Sequence, residues 1–321
     1  MIVVTGGAGF IGSNLVHALC ARGRTDVVVV DRMNDPRKVK NLATARIADF
    51  LDKKDFLTRI VHPHASDSRL HGLEAVFHLG ACSDTTEIDG RFLLRNNYEY
   101  SRAVLDFCQH RAIPLVYASS ASVYGTGTAF REANEHEAPM HAYGYSKWLF
   151  DERVRRVSTA TAPIIGLRYF NVYGPREEHK DTMASMVYQL HRQLEDTQRV
   201  RLFRGTDGCA DGEQRRDFVH VDDVVHVNLW FLEHARTTGI YNVGTGTSRS
   251  FNDVARAVIG FHRRGSIEYI DVPAALRGRY QSRTQADLSS LRALGCPVEF
   301  TPLEEGVRDY LTKLGTRAGS T

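Results

Sequence analysis

Several features that would mark a special class of protein are missing from the sequence. The five cysteines are odd in number and scattered, with no C-x-x-C pair, which argues against a disulfide framework or a cysteine zinc site. No run approaches the ~18 apolar residues of a membrane span. The chain begins Met1-Ile2-Val3-Val4, without the basic region and cleavage site of a secretory signal. We therefore predict a cytoplasmic protein with reduced thiols and no membrane partner.

A strong excess of charge is also missing. The 41 Lys and Arg residues nearly balance the 38 Asp and Glu residues, which leaves a formal net charge of +3. The sequence also lacks the dense basic stripe of a nucleic-acid-binding protein, so we predict no nucleic-acid partner. The fourteen histidines include no zinc-protease motif, because His136-Glu137 and His141 have the wrong spacing and enclose the helix breaker Pro139. We predict no metal site. What remains is an average globular composition, 42% hydrophobic and 25% charged, long enough for one large domain or two coupled ones.

The first 170 residues alternate short, β-branched apolar runs with longer helical patterns. Strands that are apolar throughout are typical of a parallel sheet buried on both faces, which predicts a doubly wound α/β, or Rossmann, fold. The predicted strands are 2–5, 27–31, 75–79, 114–118 and 164–168, and the predicted helices are 11–22, 91–110 and 143–157.

After about residue 170 the pattern becomes polar and rich in arginine and glycine, with helices predicted at 181–194, 222–234 and 251–261. This change indicates a smaller, mixed α/β substrate-binding domain. Strands near 218–219 and 241–243 are expected to return to the sheet, and 205–214 has the turn residues of a flexible surface loop. The predicted dinucleotide-binding domain is 1–170 with about 217–244, and the predicted substrate-binding domain is 171–216 with 245–321.

A glycine-rich segment, TGGAGFIG, follows the first strand and opens the first helix. Gly6, Gly9 and Gly12 would allow a sharp turn, close approach of a pyrophosphate and tight helix–strand packing, and the helix N-terminus favours an anion. Asp31 ends the second strand, where a carboxylate binds the ribose hydroxyls of NAD. Cations in the next turn would instead neutralise the 2′-phosphate of NADP, or form only a solvated basic loop. They are Arg32, Arg37, Lys38 and Lys40. We predict NADP and leave NAD open.

A second motif, YGYSK, places Tyr143 and Lys147 four residues apart, hence on one face of a helix. A free tyrosine, with a pKa near ~10, is a poor base at neutral pH. A neighbouring ammonium and a nicotinamide ring would lower that pKa. Ser120, just after a predicted strand, can bond a substrate oxygen. The alternative for this spacing alone is an amphipathic helix with an extended surface lysine.

These motifs resemble those of the extended short-chain dehydrogenase/reductase enzymes that act on nucleotide sugars, over nearly the whole chain. The shared segments are TGGAGFIG, ASSASVYG, YGYSK, RYFNVYGPR, RRDFVHVDD, YNVGTG and ADLSSLRALG. Four further segments resemble the branch that epimerises C6 of ADP-L-glycero-D-manno-heptose. They are FHLGACSDTT, YFNVYGPREEHKDTMAS, GRYQSRTQAD and HVNLWFLE.

The resemblance implies roles for individual residues. Tyr143 and Lys180 would be the two catalytic acid/bases, Lys147 would hold the cofactor ribose and tune Tyr143, and Ser120 would orient the reacting hydroxyl. Implied cofactor contacts, with the glycines and Lys147, are Phe10, Ile11, Asp31, Arg32, Lys38, Lys53, Leu79, Gly80, Ala81, Cys82, Ser83 and Asn96. Implied substrate contacts, with Ser120 and Lys180, are Asn171, Val172, Thr182, Gln189, Phe203, Arg204, Gly205, Thr206, Arg216 and Tyr280. Gln189 departs from the family pattern, in which a histidine is usual.

The implied function is an isomerase that oxidises C6 of the ADP-heptose to a ketone and reduces it again on the opposite face, supplying heptose for the lipopolysaccharide core. The family also implies a homo-oligomer, for which we predict a pentamer. Two alternatives stay open: another nucleotide-sugar 4-epimerase or dehydratase, and a non-catalytic dinucleotide-binding regulator. Arg215 and Arg216 would grip a diphosphate, or form a solvated pair.

Overall fold

A computed structural model describes residues 1–62, 70, 72–205, 208–234, 238–273 and 283–318. The chain divides into two compact units, each built from separate stretches of sequence. The first unit comprises Met1–Val123, Pro139–Arg168 and Val225–Tyr241, and the second comprises Tyr124–Ala138, Tyr169–Val224 and Asn242–Thr321.

Helices and strands alternate along most of the chain. The strands are β1 (Ile2–Thr5), β2 (Val27–Asp31), β3 (Asp49–Asp52), β4 (Ala75–His78), β5 (Leu115–Ser120), β6 (Ile164–Tyr169), β7 (Asn171–Tyr173), β8 (Arg199–Phe203), β9 (Arg215–His220), β10 (Gly239–Val243), β11 (Ser248–Ser250) and β12 (Ser266–Ile270). The helices are α1 (Phe10–Ala21), α2 (Val39–Leu42), α3 (Lys53–Val61), α4 (Gly90–Leu93), α5 (Tyr100–His110), α6 (Ala142–Arg155), α7 (Met186–Thr197), α8 (Val221–His234), α9 (Phe251–His262), α10 (Ser289–Ala293) and α11 (Leu303–Ala318).

The first unit is organised around a large sheet that, within the described residues, has seven strands in the order β10-β6-β5-β4-β1-β2-β3. β1 pairs in parallel with both β2 and β4, β2 with β3, and β4 with β5. Every residue of β1, β2, β4 and β6 is buried, as expected for β-branched strands covered by helices on both faces. The predicted doubly wound α/β fold is confirmed.

Two details of this unit differ from the sequence prediction. β3 was not expected, because only Leu51 of its four residues is buried and the segment lacks a continuous apolar run. The predicted helix 91–110 is interrupted by a π-helical turn at Leu94–Glu99 between α4 and α5. Such turns often lie at functional sites, and this one carries two adjacent buried asparagines, Asn96 and Asn97.

The second unit contains two small sheets among its described residues, β11-β9-β7 and β12-β8. β10 returns to the large sheet as predicted, but the strand predicted near 218–219 is part of β9 and pairs with β7 and β11 instead, so that prediction is wrong. A separate apolar core joins α7, α9 and α11 through buried side chains that include Leu190, Leu194, Val258 and Tyr310. The predicted helix 181–194 is wrong at its start. A 3₁₀ segment, Glu178–Met183, comes first, and α7 begins only at Met186.

The apolar helices are short. Searching the described residues, we find none long and apolar enough to cross a bilayer.

Candidate active site

The glycine-rich turn between β1 and α1 is closed by direct backbone contact. Gly6 has a φ of 69°, and a Cβ atom there would lie 2.7 Å from the Cα of Gly80. A Cβ on Gly12 would lie 2.1 Å from the carbonyl oxygen of Gly6. α1 starts after Gly9 with no capping side chain and no acidic residue in its first turn. The turn therefore has the close backbone packing and the positive helix end that suit a pyrophosphate.

Asp31 has a structural task as well as the predicted one. Its carboxylate accepts hydrogen bonds from the backbone N–H of Ala8 at 2.9 Å and of Arg32 at 2.6 Å, and it pairs with the Lys38 ammonium at 3.0 Å. A carboxylate has about four acceptor positions, so these bonds leave room for a ribose hydroxyl. Among the predicted cations, Arg37 instead pairs with Asp35 at 2.8 Å. Lys38 is thus better placed than Arg37 to meet a phosphate beside Asp31.

Lys53 and Asn96 are brought together although they are 43 positions apart. The Lys53 ammonium donates to the Asn96 side-chain oxygen at 2.6 Å and lies 4.2 Å from the centre of the Tyr100 ring. Burial, and then the charge of Arg32, lower the pKa of Lys53 to about 8. Lys53 and Asn96 therefore form one polar group in the first unit, and their assignment as cofactor contacts stays a prediction.

The segment Leu79–Ser83, predicted to contact the cofactor, is held by a residue that the sequence did not indicate. Asn97 accepts a hydrogen bond from the Cys82 N–H and donates one to the Cys82 carbonyl, both at 2.9 Å. It also donates to the Ser146 hydroxyl of α6 at 3.0 Å. The π-helical turn directs both Asn96 and Asn97 inward. The sequence did not predict this turn, because a regular helical periodicity does not reveal it.

Tyr143 and Ser120 lie close together, and Lys147 lies one helical turn beyond Tyr143 on α6. Their side chains are nearly buried, and the Ser120 and Tyr143 hydroxyls are hydrogen-bonded. Burial raises the pKa of Tyr143, and the Ser120 hydrogen bond opposes that rise. The Lys147 ammonium donates to the Ala118 carbonyl at 2.7 Å. Burial lowers the pKa of Lys147 to about 8, and the charge of Asp151 opposes the fall. Burial therefore raises the pKa of Tyr143 by more than the other groups of the protein chain lower it, which is the opposite of the expected lowering.

Asp151, one helical turn beyond Lys147, is the second buried polar residue beside the candidate site that sequence analysis missed. Its fully buried carboxylate accepts from the Tyr117 hydroxyl at 2.9 Å, the Ser119 hydroxyl at 2.8 Å and the Arg168 guanidinium at 2.8 and 3.0 Å. Ser119 precedes Ser120 directly. The network thus ties the strand that carries Ser120 to the helix that carries Tyr143 and Lys147. Four-residue spacing from Lys147 to Asp151 was the available signal.

In the second unit, Lys180 lies in the 3₁₀ segment before α7. Its backbone N–H donates to the Glu177 carbonyl at 2.9 Å, and the next residue, Asp181, has a φ of 49°. Burial lowers the pKa of Lys180, and the charge of Glu177 opposes this. Glu177 itself is buried and accepts from the Ser185 N–H at 2.5 Å and hydroxyl at 2.6 Å. Hydrogen bonds to Glu177 therefore hold both ends of the 3₁₀ segment that carries Lys180, and the backbone of Asp181 interrupts it.

Gln189 supports the same turn, because its side-chain amide donates to the Asp181 carbonyl at 2.8 Å. Thr182 is exposed beside it. On β7, Asn171 is exposed and Val172 half-buried. The structure thus brings Lys180, Thr182 and Gln189 around one turn of the second unit.

The remaining predicted substrate contacts lie along β8 and β9. Phe203 ends β8, Arg204 lies 3.6 Å from the Asp271 carboxylate, and the N–H of Gly205 donates to Asp211 at 2.9 Å. Arg216 is buried, donates to the Arg215 carbonyl at 2.8 Å and stacks over the Phe251 ring. The Arg216 guanidinium thus already makes contacts with other residues of the protein. Thr206 and Tyr280 lie outside the described residues.

Comparison with known proteins identifies the family of the chain. Residues 2–244 match the model of the NAD dependent epimerase/dehydratase family. The chain is 59% identical over 97% of its length to an ADP-L-glycero-D-manno-heptose-6-epimerase of Alkalilimnicola ehrlichii, of which it covers 96%. The crystal structure of an ADP-L-glycero-D-manno-heptose-6-epimerase from Helicobacter pylori has a TM-score of 0.83 at 31% identity, with coverage of 98% of this chain and 96% of that one.

A more distant solved structure is the UDP-glucose 4-epimerase of Thermotoga maritima. It has a TM-score of 0.80 at 26% identity, with 99% of each chain covered. The predicted nicotinamide dinucleotide is supported by the matching family and by a neighbour solved with UDP-glucose and NAD. The chain belongs to the NAD dependent epimerase/dehydratase family and is an isomerase on the branch of the ADP-L-glycero-D-manno-heptose-6-epimerases.

Proposed function

We propose that this chain interconverts ADP-D-glycero-D-manno-heptose and ADP-L-glycero-D-manno-heptose by inverting C6. The observation that carries the proposal is the 59% identity along 97% of the chain to a relative of that name. The hydrogen-bonded Ser120–Tyr143 pair, with Lys147 on the same helix face, supports it, because an epimerase of this kind needs a group that removes and returns a hydroxyl proton.

The chemistry follows from the substrate. The C6–H bond is not next to a carbonyl and is not acidic, so simple proton abstraction cannot invert the centre. Removal of the C6 hydroxyl proton with loss of hydride gives a planar ketone, and return of hydride to the other face inverts it. When bound, the nicotinamide cofactor accepts and returns that hydride. No net oxidation occurs, so the cofactor stays bound through the cycle.

Side chains of this protein remove and return the proton of the C6 hydroxyl. Tyr143 takes the hydroxyl proton, and Ser120 donates a hydrogen bond that stabilises the phenolate it forms. Lys147 holds the cofactor ribose and adds a positive charge near Tyr143. Lys180 exchanges the proton for the opposite face, and its lowered pKa suits an amine that must act as both acid and base near neutral pH.

The glycine-rich turn and Asp31 fit the pyrophosphate and the ribose of a dinucleotide. We further propose NADP over NAD, because the Lys38 ammonium beside Asp31 can pair with a 2′-phosphate. The proposal also includes the predicted dinucleotide- and substrate-binding domains, a cytoplasmic location and a homo-oligomer. Light scattering on the purified protein would give its mass, for which we expect five copies.

The decisive experiment uses purified protein with its retained cofactor. ADP-D-glycero-D-manno-heptose is added without NADPH, and formation of the 6-epimer is followed by proton NMR. Conversion without added cofactor is the expected result. Activity on UDP-galactose, or loss of water from a sugar nucleotide, would support a 4-epimerase or a dehydratase instead. Tight cofactor binding with no turnover of any nucleotide sugar would point to a regulator.

A further inference from the structure

Two histidines and a glutamate meet at the surface of the second unit, and none of the three is assigned to the proposed reaction. His191 and Glu195 are four residues apart on α7, and His262 is the last residue of α9. The potential ligand atoms of these three side chains all lie within 4.8 Å of one another. The sequence gave no sign of this group, because His262 is far from the other two along the chain.

The contacts within the group are polar and close. The Nδ1 atom of His191 lies 3.0 Å from the Nε2 atom of His262, and the two rings are stacked with centroids 5.1 Å apart. The Nδ1 atom of His262 lies 3.5 Å from Oε1 of Glu195, and the same oxygen lies 2.7 Å from the Arg264 guanidinium. One proton is therefore shared between two imidazoles, with a carboxylate beside them.

The spacing of the imidazole nitrogens suits a divalent cation. Zn–N bonds are about 2.0–2.1 Å long, so two nitrogens 3.0 Å apart subtend an angle of about 90–100° at a common metal. That angle is within a small side-chain adjustment of tetrahedral geometry. Imidazole and carboxylate form the mixed ligand set typical of zinc and its neighbours in the first transition row.

The helices that carry the three candidate ligands are also packed firmly against each other. Leu190 and Leu194, beside His191 and Glu195 on α7, are fully buried in the apolar core that they share with Val254 and Val258 of α9. The two helices are thus fixed relative to each other before any ion arrives. Glu195 is the mobile member, because its side chain is 45% exposed and can rotate away from Arg264.

The other histidine–carboxylate cluster that is evident in the described residues lacks these properties. It consists of His220, Asp222 and Asp309. The Lys313 ammonium already lies between its carboxylates, 3.0 Å from Asp222 and 2.8 Å from Asp309. The Lys313 ammonium therefore occupies the position between these carboxylates that a metal ion would need.

We propose that His191, His262 and Glu195 form a binding site for a divalent transition-metal ion such as Zn²⁺, which would cross-link α7 to α9. As the ion enters, the imidazole that carries the proton between the two rings moves it to its own other ring nitrogen, so that both facing nitrogens are free to bind the metal. Glu195 leaves Arg264 to supply the third ligand, and water completes the coordination. The site is independent of the proposed epimerase reaction.

The test is calorimetric titration of Zn²⁺ into untagged, full-length protein in a buffer that does not bind metals, with thermal unfolding in parallel. We expect one site of micromolar affinity and a rise in Tm of several degrees that EDTA reverses. His191→Gln and His262→Gln should each weaken binding at least about 30-fold. His110→Gln, which changes an exposed histidine at the end of α5, should leave both measurements unchanged.

Arg264→Gln separates this site from nonspecific binding of zinc. Because Arg264 competes with the metal for Glu195, its removal should tighten zinc binding several-fold, whereas Glu195→Gln should weaken it. Unchanged affinity in both histidine variants, with circular dichroism like the parent's, would overturn the proposal. An unaltered affinity in Arg264→Gln and Glu195→Gln would remove Glu195 from the ligand set.

Discussion

The Arg168 guanidinium and the Asp151 carboxylate form an ion pair at 2.8 Å in which both side chains are completely buried. Taking two charges out of water is costly unless each is fully hydrogen-bonded, and Asp151 meets this condition with the hydroxyls of Tyr117 and Ser119. The pair lies one helical turn from Lys147. We infer that it positions the strand and the helix that carry Ser120, Tyr143 and Lys147.

Asp151→Asn should therefore destabilise the protein strongly. It leaves the Arg168 charge buried without its partner, which costs about 3–5 kcal/mol of unfolding free energy. The measurement is urea unfolding followed by circular dichroism. The double variant Asp151→Leu/Arg168→Met, which removes both charges, should recover much of the lost stability. A double variant no more stable than the single one would contradict the ion-pair argument.

Tyr143→Phe should lower kcat by about 10²–10⁴ while cofactor remains bound, because only the proton-transfer hydroxyl is removed. Tyr145→Phe is the matched control, since Tyr145 lies two residues away on the same helix and is exposed. Epimerisation rates and the cofactor content of each purified variant give the comparison. Near-parental turnover in Tyr143→Phe would exclude it as an acid/base.

Lys180→Met should cause a comparable loss of kcat with cofactor retained. If Tyr143 and Lys180 serve successive steps of one hydride cycle, the double variant should be little slower than the slower single variant. Single-turnover rates of epimerisation provide the measurement. Losses that simply multiply would argue against one shared cycle.

Lys147 should make stability depend on alkaline pH. Its pKa in the folded protein is about 8, against an ordinary value of 10.5, so the unfolded chain binds more protons between these values. The free energy of unfolding should thus rise with pH from about 8 to 10.5, by up to about 1.4 kcal/mol per pH unit from this group. Urea unfolding of parent and Lys147→Met at several pH values isolates the effect. Lys54→Met, at an exposed lysine, should retain the parental slope.

Lys38→Gln should shift the cofactor preference. Loss of one charge beside a 2′-phosphate should weaken NADP by about tenfold and NAD much less. Binding of NADPH and NADH to cofactor-stripped protein, followed by the fluorescence of the reduced nicotinamide ring, tests this. Arg37→Gln, in the same basic segment but paired with Asp35, is the control. Equal weakening of both cofactors would place Lys38 away from the 2′ position.

Sequence pattern predicted much of the first unit because its strands are buried on both faces, and an apolar run such as that of β1 admits few other interpretations. It also predicted the Tyr143–Lys147 pair, since helical spacing alone places both on one face. Tertiary contacts decided the rest. Asn97 points inward through a π-helical turn, and the Lys180 segment is shaped by the buried Glu177 carboxylate, neither of which leaves a periodic signal.

The bonds that Asp31 makes to Ala8, Arg32 and Lys38 have a kinetic consequence. They hold the loop after β2 in place before a dinucleotide binds, so little conformational entropy remains to be lost on binding. Preorganisation of this kind increases affinity mainly by slowing dissociation. A cofactor that leaves slowly is what a reaction without net oxidation requires, because each molecule of it must serve many substrates in turn.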